Sequence, residues 1–423
     1  MNNSIILNYN NKNLIKKKKI IINISGSKSE SNRLLIIKKL FNKLELINLS
    51  NSNDTKIMIN SLKKEKKNKI NIKDAGTVMR FLISYFTITI KNKKKKILTG
   101  SKRMKNRPIF YLVESLKEIG AKIKYLKKKG YPPIKIIGNK IKKNKIYIKS
   151  NISSQYITSL ILIAPKLNNG LKIYLSKKKI SFSYIKMTIN ILKKLNFKIK
   201  YKKNIIIINN KKEIKKKKYY IESDWSSASY FYSIITLINY KNIKLILKYF
   251  KKKSLQGDSI IVKIYKKYFG IKTKFFKKKI LIYKNKKFKY PKFLKLNLKS
   301  TPDIAQTIIL TCSALKIKCL LTGLQTLKIK ETDRLKALKK ELKKNGTITK
   351  INNKSIKIIK FIEIKQKKKI IIETYKDHRM AMAFSVLAIK NKNLIIKNPN
   401  TVNKSYPNFW KDLKELGFNY KYN

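Results

Sequence analysis

The chain has 423 residues and sets 105 lysines and arginines against 20 acidic residues, a formal charge of +85. That length leaves room for two or three domains with a substantial core, and no run of eighteen apolar residues suggests a membrane-spanning helix. The charge points first to a polyanion such as nucleic acid, yet arginine stands only at 33, 80, 103, 107, 334 and 379, and the lysines are scattered in runs such as 16–19, 93–96 and 215–218.

Lysine spread among Ile and Asn reads as a set of solvated faces, which leaves the six arginines and the single His378 as the informative polar residues. Cys312 and Cys319 sit in apolar surroundings with no second pair or nearby histidine. Neither a zinc site nor a disulfide framework is expected. The start MNNSIILNYN lacks a basic stretch followed by an apolar core, so a cytoplasmic location is expected.

In chain order, the apolar run Ile20–Ile22 leads into GSKSESNR (26–33) and then into Leu34-Leu35-Ile36-Ile37. A strand that reopens as a helix presents free backbone N–H groups at the helix start. With Lys28, Arg33 and the hydroxyls of Ser27, Ser29 and Ser31, the stretch suits an anion; the alternative is a Ser-capped helix with an incidental basic turn. DAGTVMR (74–80) places Gly76 at a turn, either an ordinary one or one that lets a ligand approach the backbone. In LTGSKRMKNRPI (98–109), Arg103, Lys105 and Arg107 alternate before Pro108, which is expected at the first position of the following helix. ISSQYITS (152–159) reads as plain capping, and ISFSY (180–184) offers Ser181 and Tyr184.

Carboxylates enter further on. ESDWSSASYF (222–231) is read as a mainly structural helix start capped by Asp224, and Asp303 in TPDIAQT (301–307) as a cap. In KIKETDRLKALKKELKKNG (328–346), Lys330, Glu331, Asp333 and Arg334 crowd one helix entry, more charge than a cap needs. Acid and base groups beside an arginine are what proton transfer on an anionic substrate requires. KDHRMAMAFS (376–385) sets Asp377, His378 and Arg379 together, and NKSYPNFW (403–410) places Lys404 before the last helix.

An internal repeat underlies these positions. Amphipathic helical patterns close at Gly120, Asn196, Gly270, Gly346 and Gly417, 71 to 76 residues apart, each followed by a short alternating strand. A poorer copy, INSLKKEKKNKINI, precedes the first, giving six. Polar clusters that open a second helix recur near Asp74, Ser153, Asp224, Asp303 and Asp377, so the candidate residues fall on equivalent loop-to-helix junctions.

GSKSESNR, DAGTVMR, LTGSKRMKNRPI, SSQ, SDWSSASY, PDIA, KETDRL, DHRMAM and KSYP, in this order from Gly26 to Phe409, resemble the enolpyruvyl transferase family, most closely its EPSP synthase branch. The resemblance implies an α/β (α+β) fold of two similar domains, each of three βαβαββ-like repeat units, with the active site in the cleft between them. Residues 1–24 plus 223–423 are expected to form one domain and 25–222 the other. The implied reaction moves the enolpyruvyl group of phosphoenolpyruvate to the 5-hydroxyl of shikimate 3-phosphate and releases phosphate.

By the same resemblance, Lys28, Ser29, Arg33, Ser153, Ser154, Gln155, Ser181, Tyr184, Asp303 and Lys330 would hold shikimate 3-phosphate. Lys28, Gly76, Arg103, Gln155, Arg334, Arg379 and Lys404 would surround phosphoenolpyruvate. Asp303 is expected to take the hydroxyl proton and Glu331 to protonate the methylene carbon, with Lys28 assisting. No metal or organic cofactor is implied, the partners are the two small substrates rather than nucleic acid or membrane, and a monomer is expected. Departures from the family pattern are Asp74 for Asn, Phe81 for Pro, Phe182-Ser183 for Lys-Pro, Ser223 and Trp225 for smaller residues, and Thr326 for Asn.

Two other readings compete. UDP-N-acetylglucosamine enolpyruvyl transferases share fold and donor but typically carry a loop cysteine early in the chain, whereas both cysteines here lie at 312 and 319. A basic nucleic-acid-binding protein fits the charge, though the motifs lack base-stacking aromatics on a basic stripe.

Overall fold

The computed structural model describes residues 4–11, 19–91, 93–148, 153–176, 181–239, 243–285, 287–364 and 369–423. Residues 16–18 of the first lysine run, Ile152 and Ile180 lie outside them. The chain divides into two compact units: Ser27–Ile221, and Met1–Gly26 with Glu222–Asn423. Two strands precede the first crossing and belong to the second, discontinuous unit: β1 (Ser4–Tyr9) and β2 (Lys19–Ile22).

The continuous unit opens with α1 (Lys28–Phe41), β3 (Leu44–Ile47) and α2 (Asn53–Lys63). A full β–α–β–α–β–β passage follows: β4 (Lys69–Asn71), α3 (Gly76–Thr89), β5 (Lys95–Thr99), the single turn α4 (Lys102–Lys105), α5 (Phe110–Glu118), β6 (Lys122–Tyr125) and β7 (Ile134–Ile137). A second comprises β8 (Lys145–Ile148), α6 (Ser154–Ile163), β9 (Leu171–Leu175), α7 (Phe182–Lys194), β10 (Ile199–Lys202) and β11 (Ile205–Ile208). The last strand, β12 (Lys217–Tyr220), pairs in parallel with β3, Lys217 opposite Leu44 and Tyr220 opposite Ile47. Both full passages build sheets of one topology, β4-β5-β7-β6 and β8-β9-β11-β10. The third repeat of this unit keeps its helices but only a two-stranded sheet, so among the described residues the six copies, one of them poorer in sequence, are five full ones and a reduced one.

The discontinuous unit repeats the passage three times. After β2 come α8 (Trp225–Leu237), β13 (Lys244–Lys248), α9 (Ile261–Phe269), β14 (Ile271–Phe276) and β15 (Lys279–Lys284). Next are β16 (Phe293–Asn297), α10 (Ala305–Ala314), β17 (Lys318–Thr322), α11 (Arg334–Lys344), β18 (Thr347–Ile351) and β19 (Ser355–Phe361). The third has β20 (Ile371–Ile372), α12 (His378–Phe384), β21 (Leu394–Lys397), α13 (Phe409–Lys414) and β22 (Phe418–Tyr422), and β1 completes its sheet in the order β20-β21-β1-β22.

The Lys/Ile bias fits this architecture because alternation matches the strand period of two. In β8, Lys145 and Tyr147 are exposed while Ile146 and Ile148 are buried, and the same holds for Lys19 and Ile20 in β2. The sheets thus turn lysine outward and isoleucine onto the helices. The first helix of each repeat is instead apolar nearly all round, as a helix enclosed on every side must be: in α6 every residue from Tyr156 to Ile163 is buried.

All five predicted helix stops are left-handed, with φ of 109° at Gly120, 60° at Asn196, 69° at Gly270, 70° at Gly346 and 84° at Gly417. At Gly346 a Cβ would also stand 2.1 Å from the Ile362 carbonyl oxygen, so glycine is required there twice over. Pro108 does not begin a helix as expected. The Ile109 N–H donates to the Gly130 carbonyl (2.8 Å) and its φ of −133° lies outside the helical range, which delays α5 to Phe110.

Candidate active site

Polar side chains collect at the starts of the enclosed helices, where the first N–H groups lack intrahelical partners. In the continuous unit Ser27 caps α1 by accepting from the Glu30 N–H (3.4 Å), and Ser153 caps α6 by accepting from the Gln155 N–H (3.3 Å). Arg33 joins three helices. Its Nε donates to Thr188 Oγ1 (2.8 Å), Nη1 to the Ser29 carbonyl (2.6 Å), and Nη2 to the Tyr184 carbonyl (3.2 Å) and Thr158 Oγ1 (3.5 Å). The guanidinium also lies over the ring of Phe81, one of the residues that depart from the family pattern, at 5.7 Å. Arg33 is 4 % exposed, and burial, only partly opposed by Tyr184 and Glu30, pushes its pKa down to about 10. Lys28 pairs with Asp54 at 3.3 Å.

A second group surrounds the start of α3. Gln155 Nε2 donates to Thr77 Oγ1 (3.1 Å), linking α6 to α3. Asp74 accepts from Ser101 Oγ and lies 4.0 Å from Arg103 Nε. Arg80 turns back to donate to the Gly76 carbonyl (2.7 Å) and the Pro108 carbonyl (3.1 Å). Gly76 is tightly enclosed: an added Cβ would lie 2.3 Å from Arg107 Nη1 and 2.8 Å from Arg80 Nη1. Two guanidiniums therefore flank this helix start, neither in the predicted set. Ser154 and Ser181 are buried, and Ser181 is left-handed with φ 54°.

The discontinuous unit holds a cluster of carboxylates and cations. Arg334, 1 % exposed, is its hub: Nε donates to Asp377 Oδ2 (2.7 Å), Nη2 to Glu331 Oε2 (2.9 Å) and Asp377 Oδ1 (3.3 Å), and Nη1 to Asp303 Oδ1 (3.2 Å). Lys330 Nζ stands 3.4 Å from Asp303 Oδ1 and Lys404 Nζ 3.8 Å from Glu331 Oε1. Arg379 reaches Asp303 through its carbonyl (3.0 Å) and Oδ2 (3.2 Å). Asp303, read as a cap, is not the N-cap residue of α10; its carboxylate pairs with Lys330, Arg334 and Arg379. Asp333 caps α11 and Asp377 caps α12.

The field here is strong. Burial pushes the Asp303 carboxyl up, but Arg379, Lys330 and Arg334 outweigh it and hold Asp303 well below the usual carboxylate range. Burial likewise lowers Arg334, and Asp377, Glu331 and Asp303 more than restore it. Lys330 is lowered, chiefly by burial. Asp258, in the turn Gly257–Ile260, goes the other way: burial and then the charge of Asp303 raise it to about 6 against the pull of Arg379.

Of the predicted residues, the structure gathers Asp303, Lys330, Glu331, Arg334, Arg379 and Lys404 into one cluster. It also joins Arg33 to Ser29 and Tyr184, and sets Gln155 beside the start of α3. Lys28 contacts Asp54, outside the predicted set. Sequence reading missed Thr158, Thr188 and Asp258. It named Asp377, Arg80 and Arg107 in their motifs without selecting them; the rarity of arginine was the available signal for the latter two.

The profile of the family described as EPSP synthase (3-phosphoshikimate 1-carboxyvinyltransferase) matches residues 59–413. A 3-phosphoshikimate 1-carboxyvinyltransferase of Bacteroides fragilis (strain YCH46) is 39% identical over 404 residues, covering 95% of this chain and 96% of that protein. One from Buchnera aphidicola subsp. Cinara cedri is 37% identical over 427 residues, covering 93% and 94%. The solved structure of an Acinetobacter baumannii EPSP synthase shares the fold, with a TM-score of 0.72 over 99% of both chains at 18% identity.

Proposed function

The chain belongs to the EPSP synthase family, and from that premise we infer that it transfers the enolpyruvyl group of phosphoenolpyruvate to the 5-hydroxyl of shikimate 3-phosphate, releasing phosphate. We assign Lys28, Ser29, Arg33, Ser153, Ser154, Gln155, Ser181 and Tyr184 of the continuous unit, with Asp303 and Lys330, to shikimate 3-phosphate. Lys28, Gly76, Arg103, Gln155, Arg334, Arg379 and Lys404 are assigned to phosphoenolpyruvate. The observation that carries the chemical assignment is that Asp303 and Glu331 bond to one guanidinium, that of Arg334, at 3.2 and 2.9 Å.

In this reading Asp303 accepts the proton of the attacking hydroxyl and Glu331, beside Lys404, delivers one to the methylene carbon. Expulsion of phosphate then reverses both transfers, with Lys28 assisting. A carboxylate held by three cations is a weak base. The cations that depress Asp303 include those assigned to substrate anions, so phosphoenolpyruvate taking Arg334 and Arg379 returns basicity to Asp303 when the hydroxyl is to be attacked. Guanidiniums grip carboxylate and phosphate bidentately, and lysines follow the charge as it moves.

No helix among the described residues is long and apolar enough to cross a membrane. We further propose a cytoplasmic monomer acting on small anions, with the dispersed lysines as solvated sheet faces rather than a nucleic-acid track. The test is phosphate release from phosphoenolpyruvate with and without shikimate 3-phosphate, in the wild type and in Asp303→Ala and Glu331→Ala. Release dependent on both substrates is expected, with each variant binding them but losing about 10²-fold or more in turnover. Unaltered turnover in either variant removes that residue from the mechanism.

A further inference from the structure

The first turn of α8 lies in the SDWSSASY stretch, which sequence reading treated as structural, and two of its side chains reach Arg379. Arg379 Nη2 donates to Ser226 Oγ at 3.3 Å, and the buried Tyr230 hydroxyl, one turn further on, lies within the field of the same guanidinium. Behind Ser226 stands Asp258, 3 % exposed, whose Oδ2 takes the Ser226 hydroxyl hydrogen. The remaining contacts of the guanidinium described above are the Asp303 carbonyl and Oδ2.

A hydroxyl has one hydrogen and two lone pairs. A carboxylate only accepts, so Asp258 fixes the Ser226 hydrogen toward itself and leaves a lone pair for Arg379. Without that fixed polarity Ser226 is a free rotor that can aim its hydrogen at the cation. Arg379 would then lose the acceptor on its Ser226 side while keeping the pull of Asp303.

We propose that Ser226, oriented by Asp258, is a positioning residue that holds the Arg379 guanidinium open for the substrate anion and so sets phosphoenolpyruvate affinity in the family reaction. This rests on the assignment of Arg379 to phosphoenolpyruvate above. Neither Ser226 nor Asp258 touches the reacting atoms.

The experiment is steady-state kinetics of the full chain with both substrates for Ser226→Ala, Ser226→Thr, Asp258→Asn and Arg379→Ala, with melting curves as a control for folding. Loss of one hydrogen bond to a charged group predicts a rise of about tenfold in KM for phosphoenolpyruvate in Ser226→Ala, with KM for shikimate 3-phosphate and kcat within about threefold of wild type. Ser226→Thr, which keeps the hydroxyl, is expected near wild type, and Asp258→Asn, whose amide can either accept from or donate to that hydroxyl, to fall between wild type and Ser226→Ala. The proposal is overturned if Ser226→Ala leaves the phosphoenolpyruvate KM unchanged, or if Ala and Thr are equally impaired, which would make the position one of packing. An unchanged KM in Arg379→Ala would instead sink the assignment of Arg379, a distinct result.

Discussion

Replacing Arg334 with methionine keeps most of its volume and removes the guanidinium. Asp377, fully buried, loses its contacts at 2.7 and 3.3 Å, and Asp303 and Glu331 each lose one. Lys330, Arg379 and Lys404 still face Asp303 and Glu331. Asp377 keeps the Arg379 backbone N–H at 2.9 Å and His378 Nδ1 at 3.7 Å. Removing one partner of a buried ion pair typically costs about 3–5 kcal/mol, because the stranded charge stays buried, and that is the loss expected at pH 8.

The loss is also expected to depend on pH. In the wild type Asp303 is depressed, so its stabilisation is complete above the unfolded carboxylate pKa and is lost only as pH falls through the still lower folded value. It contributes no slope between pH 5 and 8. In Arg334→Met Asp303 loses one of the three cations that depress it, so its folded value moves up toward the unfolded one while Lys330 and Arg379 still face it. The gap between the proteins is therefore expected to stay level from pH 8 to pH 5 and to narrow as pH falls below the unfolded carboxylate value. Both tryptophans, Trp225 and Trp410, are buried in the discontinuous unit, so urea unfolding followed by tryptophan fluorescence reads the unit that carries the substitution. A gap below about 1 kcal/mol at pH 8, or one that fails to narrow below about pH 4, would refute the reasoning.

Gly76→Ala places a methyl against Arg107 and Arg80 without a positive φ to strain, so melting is expected to stay close to wild type while KM for phosphoenolpyruvate rises; kinetics with an unchanged KM would contradict the crowding. Asp258, raised to about 6, binds its proton more tightly when folded, so it destabilises the fold progressively as pH rises from about 4 to 6. Asp258→Asn is accordingly expected to melt higher than wild type at pH 8, with the advantage shrinking at pH 5; an equal difference at both pH values would show that Asp258 is not the group titrating.

Much of the fold was legible because its signals are local. Alternating Lys and Ile turn one face of a strand to water and the other to the helices, as Lys145 to Ile148 do, and a residue tolerating left-handed backbone marks each helix stop from Gly120 to Gly417. The missing final hairpin of the reduced repeat has no such local mark, since β12 and β3 are more than 160 residues apart and their pairing exists only once the chain has folded. Pro108 misled because a contact from Gly130, not local preference, decides where α5 begins.

Site residues divide the same way. Crowded charge at Lys330–Arg334 exceeded what a cap can use, and that excess was readable. Asp303 looked like a cap because its helix begins beside it; only the arrival of Arg334 and Arg379 from other helices reveals its ion pairs. Thr158, Thr188 and Asp258 are ordinary residues in their own segments and gain meaning only from the side chain that reaches them.

Around Arg334 the charges nearly cancel: Asp258, Asp303, Glu331 and Asp377 stand against Lys330, Arg334, Arg379 and Lys404. In a chain so cationic elsewhere, this balanced group offers an arriving multiply charged anion no surplus positive charge of its own. An anion bound here displaces carboxylates already in place, and its net affinity is the difference between two sets of ion pairs rather than the gain of one.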